Sequence, residues 1–386
     1  MLSIKGGPSF HWLTDTATSH TVVRDEGGWY TYADLNASGY LVATRKYVGL
    51  ADPGLLGLRS DLVPPISVQQ SLSKFDGQRN DNAQNDILSS FVRRRLQDMS
   101  TIPNLVVPIR WSDHEDRTMP SVDDLTALMN HVGPTRLCPT GSVRDVYLHA
   151  SYNKVQIDSF VVPWITSDHT EDYYASGSSG LSYLIWRALK HALDQLDNDN
   201  FDFTNFDADG DGWIDAISFL HSGYGAEWAG HDCYGRYYTD RIWSHKWQFH
   251  PWVSKGGVRV NRYHISPAVW QTCGSNIGHI GVIAHETGHF LGLPDLYGSS
   301  KGSGIGSWGL MGNSWGFDGS QYYPPALSAW SKIFLGWVTP ISITESGTYT
   351  APASYNSPTA FIIETNYPND EYLLIENRQS IGFDKV

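Results

Sequence analysis

Gly281-Val282-Ile283-Ala284-His285-Glu286-Thr287-Gly288-His289-Phe290-Leu291-Gly292-Leu293-Pro294-Asp295-Leu296-Tyr297-Gly298 is the stretch that organises the reading of this chain. On a helix, His285 and His289 stand at i and i+4 on one face, so their imidazoles can share one metal ion. Glu286 is rotated by about 100° on the same turn, near such an ion without ligating it. Gly292 lets the chain leave the helix sharply, because glycine alone takes a positive φ at low cost, and Pro294 keeps the helix from resuming. Asp295 can then return as a third ligand. Two neutral imidazoles and one carboxylate leave a fourth position open to water, the arrangement of a catalytic zinc. In a chain of this composition HExxH arises by chance about once in 70 sequences, and with Gly292 and Asp295 also in place about once in 10,000. The competing reading is a surface helix that happens to carry these residues. The apolar approach Val282-Ile283-Ala284 argues against it, because it marks a buried helix, where His-Glu-His without a partner is costly.

The chain around this motif can bury such a helix. It has 386 residues, 41% of them hydrophobic, with 15 Trp and 21 Tyr, which is too apolar for disorder and sufficient for large cores. Its 40 acidic against 27 basic side chains give a formal charge of -13, so no basic face for nucleic acid is expected. No apolar run of about 18 residues suggests a membrane span, and the start, Met1-Leu2-Ser3-Ile4-Lys5-Gly6-Gly7, shows no signal-peptide core. The end at Val386, ten residues past an expected strand, suggests a piece of a longer protein. Three cysteines make neither a disulfide scaffold nor a Cys-based zinc site. If one bridge forms, Cys233–Cys273 is the expected pair, with Cys138 left over; the other reading is three buried thiols.

The first hundred residues differ in texture from the rest. Gly27-Gly28-Trp29-Tyr30-Thr31-Tyr32-Ala33 and Tyr40-Leu41-Val42-Ala43-Thr44 flank a turn and predict a β-hairpin. A Gly/Pro/Ser-punctuated stretch and a polar segment at 78–85 then read as a linker, and 87–97 has helical spacing around Arg93-Arg94-Arg95. That tribasic run reads as a solvated helix face or, in a zymogen, as a processing site. From residue 104 the pattern becomes α/β. Strands are expected at 105–109, 143–150, 155–162 and 214–220, an amphipathic helix at 122–132, and a long backing helix through the apolar positions between Leu181 and Leu196. A helix at 326–335 and strands at 360–364 and 371–376 complete the pattern.

A second constellation precedes the zinc motif. Asp207-Ala208-Asp209-Gly210-Asp211-Gly212-Trp213-Ile214-Asp215 matches the first nine positions of an EF-hand-like loop. Asp207, Asp209, Asp211 and Asp215 would ligate calcium with the Trp213 carbonyl, while Gly210 permits the turn. Ser218 replaces the bidentate glutamate at position 12, so an isolated structural calcium loop is expected; the bland alternative is an ion-free acidic turn. Asp199, Asp202 and Glu227 are further acids that could join it. His221, Glu227, His231, Asp232 and His245 form a His/acid cluster that reads as loop polarity or satisfied core histidines, the alternatives being a second metal site or a cleft wall; no catalytic role is expected of them.

HExxHxxGxxD, with Trp308-Gly309-Leu310-Met311-Gly312 downstream, resembles the metzincin clan of zinc peptidases. More closely, it is similar to the immune inhibitor A family of secreted metallopeptidases. The likeness is also carried by Gly28-Trp29-Tyr30-Thr31-Tyr32-Ala33, by 207–215, by Ile242-Trp243-Ser244-His245-Lys246-Trp247, by 325–337 and by Glu371-Tyr372-Leu373-Leu374-Ile375-Glu376-Asn377-Arg378. The resemblance implies an α/β (α+β) fold: a metzincin-like catalytic domain with a twisted mixed sheet, a backing helix and an active-site helix, preceded by a small β-rich pro-segment. Its divisions would be 1–100 for the pro-segment, 101–291 for the N-terminal catalytic subdomain and 292–386 for the C-terminal one. It makes Met311 a structural residue beneath the metal, and implies a secreted, monomeric endopeptidase acting on proteins or peptides and made as a zymogen. No cysteine in the first hundred residues could plug the zinc. Some metzincins carry a Tyr two residues after this Met, where Asn313 stands here; Tyr297, Tyr322 or Tyr323 could replace it as the oxyanion donor. Zinc chemistry assigns Glu286 as the general base. The rivals are a catalytically silent, calcium-binding homologue acting in binding or adhesion, and a metal hydrolase for non-peptide bonds.

Overall fold

In a computed structural model, residues 2–7, 10–15, 17–24, 30–36, 41–48, 52–63, 101–297, 304–368 and 371–385 are described. The chain divides into two compact units, Met1–Phe91 and Val92–Val386. The expected helix at 87–97 and its tribasic run lie outside the described residues.

The first unit is an antiparallel meander. Its strands β1 (Leu2–Gly7), β2 (Phe10–Asp15), β3 (Thr21–Arg24), β4 (Tyr30–Leu35) and β5 (Leu41–Tyr47) lie side by side in chain order. The hairpin read from the alternating aromatics is the β4–β5 pair, with Ala33 opposite Ala43. Val22, Tyr32 and Ala33 are buried, and the Tyr32 hydroxyl donates to Asp15 at 3.2 Å.

The second unit is built on a six-stranded mixed sheet. Strand β6 (Thr101–Arg110) runs parallel to β7 (Gln156–Val161), β8 (Ile165–Thr166) and β9 (Ile217–His221). Beyond β9 the hairpin of β10 (His245–Val253) and β11 (Arg259–Pro267) extends the sheet, β11 parallel to β9 and β10 antiparallel at the edge. Parallel strands covered on both faces need apolar residues on both, and β6 shows how they are shared. Leu105, Val107 and Ile109 pack on one side and Ile102 and Val106 on the other, as the two-residue period of a strand requires.

The helices between these strands cover the two faces. In chain order they are α1 (Val122–Asn130), α2 (Val143–Ala150), α3 (Glu171–Ala175), α4 (Tyr183–Asn198), α5 (Ile280–Phe290) and α6 (Ala329–Phe334). Helix α4 is the expected backing helix; Ile185, Ala188, Leu189, Ala192, Leu193 and Leu196 form its buried stripe. Opposite it, α1, α2 and α5 share a second core with Met311 and Leu310. A small sheet of β12 (Ile341–Ser342), β13 (Phe361–Ile363) and β14 (Leu373–Ile375) follows.

One expected strand, 143–150, is instead helix α2. Its β-branched valines suggest a strand, but Ser142 and Asp145 form a capping box, each side chain bonded to the other's backbone amide. Val143, Val146, Tyr147 and Ala150 then fall on one buried face at i, i+3, i+4 and i+7, a helical spacing. Helix α6 starts at Ala329 and not at 326 because Ser328 caps it, accepting from Ser331 N–H at 3.3 Å. Strands β10 and β11 were not expected, since their polar and aromatic residues show no clean alternation. Cys233 and Cys273 are bridged across 40 residues and Cys138 is a buried thiol. The bridge ties the loop after β9 to the segment after β11.

Candidate metal centre

Helix α5 is buried through Gly288, so it needs a dry groove rather than an amphipathic surface. Three contacts seat it. The Val282 amide, orphaned in the first turn, donates to the Gln321 side chain at 3.1 Å. The buried Tyr147 hydroxyl donates to the Ala284 carbonyl. Gly281 and Gly288 let neighbouring segments touch the helix backbone: a Cβ would stand 2.2 Å from the Ser314 carbonyl oxygen at Gly281, and 2.6 Å from Met311 Sδ at Gly288. Met311 therefore packs directly against the helix turn between the two histidines.

Each histidine is oriented through its far nitrogen. His285 Nδ1 bonds the Leu310 carbonyl at 2.9 Å, and His289 Nδ1 the Leu293 carbonyl at 2.8 Å. A carbonyl can only accept, so Nδ1 carries the proton in each ring and the Nε2 lone pair is left for a ligand. The chain leaves α5 through Gly292 at φ +89°, and the Leu296 amide bonds the Met311 carbonyl at 2.8 Å. That turn brings Asp295 back, with Oδ1 3.1 Å from His285 Nε2 and 3.1 Å from His289 Nε2. Donors sharing one tetrahedral zinc at about 2.05 Å would stand about 3.3 Å apart, so the set fits that ion. Burial alone would raise the Asp295 pKa, but the two imidazoles hold it below the usual carboxylate range.

Glu286 lies beside this set and outside it. Its Oε2 is buried without a hydrogen-bond partner among the described residues, and it faces a cleft of about 220 Å³. Burial pushes its carboxyl up to about 8; His285 pulls down, while Asp295 and Glu227 push further up. A divalent cation nearby would favour its ionised form. Among the three tyrosines, only Tyr297 is at the site. It borders the cleft, its ring lies 6.2 Å from His285 at 18°, and burial with the adjacent Asp295 raises its pKa, so it stays a protonated donor. Tyr322 stacks on His279 and Tyr323 faces Lys385. Asn313 borders the cleft and donates to Ser307 at 2.9 Å.

The acidic loop gathers part of its expected ligand set. Asp207, Asp209 and Asp215 lie close enough to hold one ion. Asp211 is outside that group, its Oδ1 accepting the Trp213 amide at 2.8 Å. Asp207 Oδ2 takes the Gly212 amide at 2.9 Å, and its Oδ1 is buried with no hydrogen bond, which suits a cation. Asp202 does not join: its Oδ1 takes both the amide and the hydroxyl of Thr204. His245 is a half-buried histidine held between the Trp243 carbonyl and the Tyr263 hydroxyl, and desolvation lowers its pKa to about 4.

Glu227 does not join the acidic loop; of the readings open for its cluster the structure supports the cleft wall, since it lines the cleft that holds Glu286. Nothing local signals this, since 59 positions separate the two glutamates along the chain.

Residues 137–338 match the catalytic-domain model of the immune inhibitor A peptidases, M6. Over 217 residues the chain is 31% identical to "Immune inhibitor A" of Bacillus thuringiensis subsp. alesti, covering 50% of this chain and 31% of that protein. It is 28% identical over 218 residues to the "Pre-pro-metalloprotease PrtV" of Vibrio cholerae serotype O1 (strain M66-2), covering 50% of this chain and 23% of the relative. The chain thus matches less than a third of the length of either relative.

Proposed function

The chain belongs to the immune inhibitor A family of M6 peptidases, and from that premise we propose that it is a secreted, zinc-dependent endopeptidase made as a zymogen. The observation that carries this reading is the convergence of His285 Nε2 and His289 Nε2 on Asp295 Oδ1 with Glu286 in the adjoining cleft. His285, His289 and Asp295 would hold the zinc, which when bound supplies Lewis acidity toward water and a peptide carbonyl. Glu286 takes the proton of the attacking water and passes it to the leaving amine. Tyr297, kept protonated, donates to the developing oxyanion. Met311 fills the space under α5 and keeps the two imidazoles in register. The buried glutamate, which a binding module has no use for, favours catalysis over the silent alternative.

Latency is proposed from the separate β-rich first unit and from the relative named a pre-pro-metalloprotease. Limited proteolysis near residues 93–100, with zinc content measured alongside cleavage of unfolded casein, tests both parts. The expected result is about one zinc per chain before and after processing, with chelator-sensitive cleavage appearing only after it. Zinc without cleavage in the processed protein would reduce the chain to a binding homologue; no zinc would sink the reading.

The acidic loop is proposed as a structural calcium site made by Asp207, Asp209 and Asp215, with Asp211 holding the turn through the Trp213 amide. Calcium is expected to raise the melting temperature of the zinc-loaded chain by a few degrees, and Asp207→Asn to abolish that rise. An unchanged calcium response in Asp207→Asn would exclude this loop.

A further inference from the structure

The cleft beside Glu286 contains a second carboxylate that the proposed mechanism does not use. Glu227 sits on the short turn Ala226–Trp228, and Gly225 makes its position possible, since a Cβ there would lie 2.5 Å from the Glu227 carboxyl carbon. Its side chain accepts the Ser244 hydroxyl at 2.7 Å and the Ser244 amide at 3.4 Å, and it pairs with no cation among the described residues. Among the described residues no Lys or Arg lines the cleft. Trp243, Trp315 and Val282 supply the apolar and aromatic part of the lining, beside the polar Ser244, Asn313 and Ser314. Burial raises the Glu227 pKa, and the Ser244 bonds and the charge of Arg241 pull it back.

A carboxylate tethered by Ser244 in a cleft bordered by two tryptophans, with no ion pair of its own among the described residues, is chemically specific. An ammonium or guanidinium on a long aliphatic stem satisfies every part of it: the charge meets the carboxylate, the cation lies over indole, and the stem covers Val282. A neutral side chain leaves the carboxylate unpaired, and an acidic one is repelled by it. The volume of about 220 Å³ accommodates a long side chain. We propose that Glu227 makes this cleft a recognition site for a Lys or Arg side chain next to the cleaved bond, a specificity that rests on the peptidase reading above.

Two measurements separate this inference from that reading. The first is kcat/KM for processed, zinc-loaded protein on peptides that differ only in Lys, Leu or Glu, placed in turn on each side of the cut bond. Wild type is expected to favour Lys over Leu by about tenfold or more on one side, and Glu227→Gln to reduce that ratio by a similar factor. Glu227→Lys should shift the preference toward Glu. Zinc content and melting temperature report whether each variant is folded. The second is fluorescence anisotropy of the same peptides on zinc-loaded Glu286→Ala protein, which binds without cutting and should show the same order of affinities. Cleavage without a Lys preference, or a preference that survives Glu227→Gln, overturns the proposal. Selective binding of the Lys peptide without cleavage by wild type sustains it and sinks the peptidase reading. Loss of both cleavage and selective binding overturns both.

Discussion

Glu286→Gln is expected to lower kcat/KM on unfolded casein by about 10³-fold or more while leaving zinc content at the wild-type level. The substitution keeps the shape of the side chain and removes only its capacity to take a proton. Glu286 is not one of the three groups that meet, His285 Nε2, His289 Nε2 and Asp295 Oδ1, so the proposed metal set stays whole. Stability should stay near the wild-type level, because the amide keeps the volume and shape of the buried carboxyl. Zinc analysis, thermal melting and casein turnover on one preparation give all three readouts. Activity within about tenfold of wild type would remove Glu286 from the role of base. Loss of zinc along with activity would instead make it part of the metal site.

Gly281→Ala is the second large effect, and its sign distinguishes local from tertiary physics. By helix propensity alone, alanine is worth up to about 1 kcal/mol over glycine, less in the first turn where Gly281 stands, so the variant should be slightly more stable. The packing says the opposite. The new methyl would lie 2.2 Å from the Ser314 carbonyl oxygen and 2.8 Å from the Gln321 Cβ, with no flexible chain end to swing aside from the first. Either α5 or the segment after Met311 must move, at a net cost of about 2–3 kcal/mol. Because Gln321 also receives the Val282 amide and Ser314 borders the cleft, the shift should impair catalysis too. Denaturant unfolding of zinc-loaded wild type and variant decides the matter; equal or greater stability of Gly281→Ala would mean that the groove around α5 is looser than drawn. Gly288→Ala should be milder, since the atom it meets first, Met311 Sδ, belongs to a flexible side chain.

Much of the site is written in residues close together in the chain. The helix spacing of His285 and His289, the exit at Gly292 and the return of Asp295 all fall within eleven positions, where backbone geometry alone determines which groups can meet. The backing helix α4 was equally legible, because burial of one face imposes a period that neighbouring residues display directly. The acidic loop was legible in outline, but not which of its carboxylates converge. Asp211 caps the Trp213 amide and stays outside the carboxylate group, a choice that spacing along the loop does not decide.

What the chain's order alone left open lies where contacts span long separations. Helix α2 was mistaken for a strand because β-branched residues suit both states at short range, and burial of Tyr147 against α5, 137 positions away, favours the helix. Among three candidate tyrosines only the packing singled out Tyr297. For Glu227 the sequence leaves loop polarity, a second metal site and a cleft wall open, and the return of the chain through Trp243 and Ser244 selects the cleft wall. Local spacing specifies the groups that can hold a metal, since a helix turn is a fixed ruler. Which further side chains share that cavity depends on how strands and loops far apart in sequence are stacked, and that is settled by the joint packing of both cores, which no single stretch of the chain encodes.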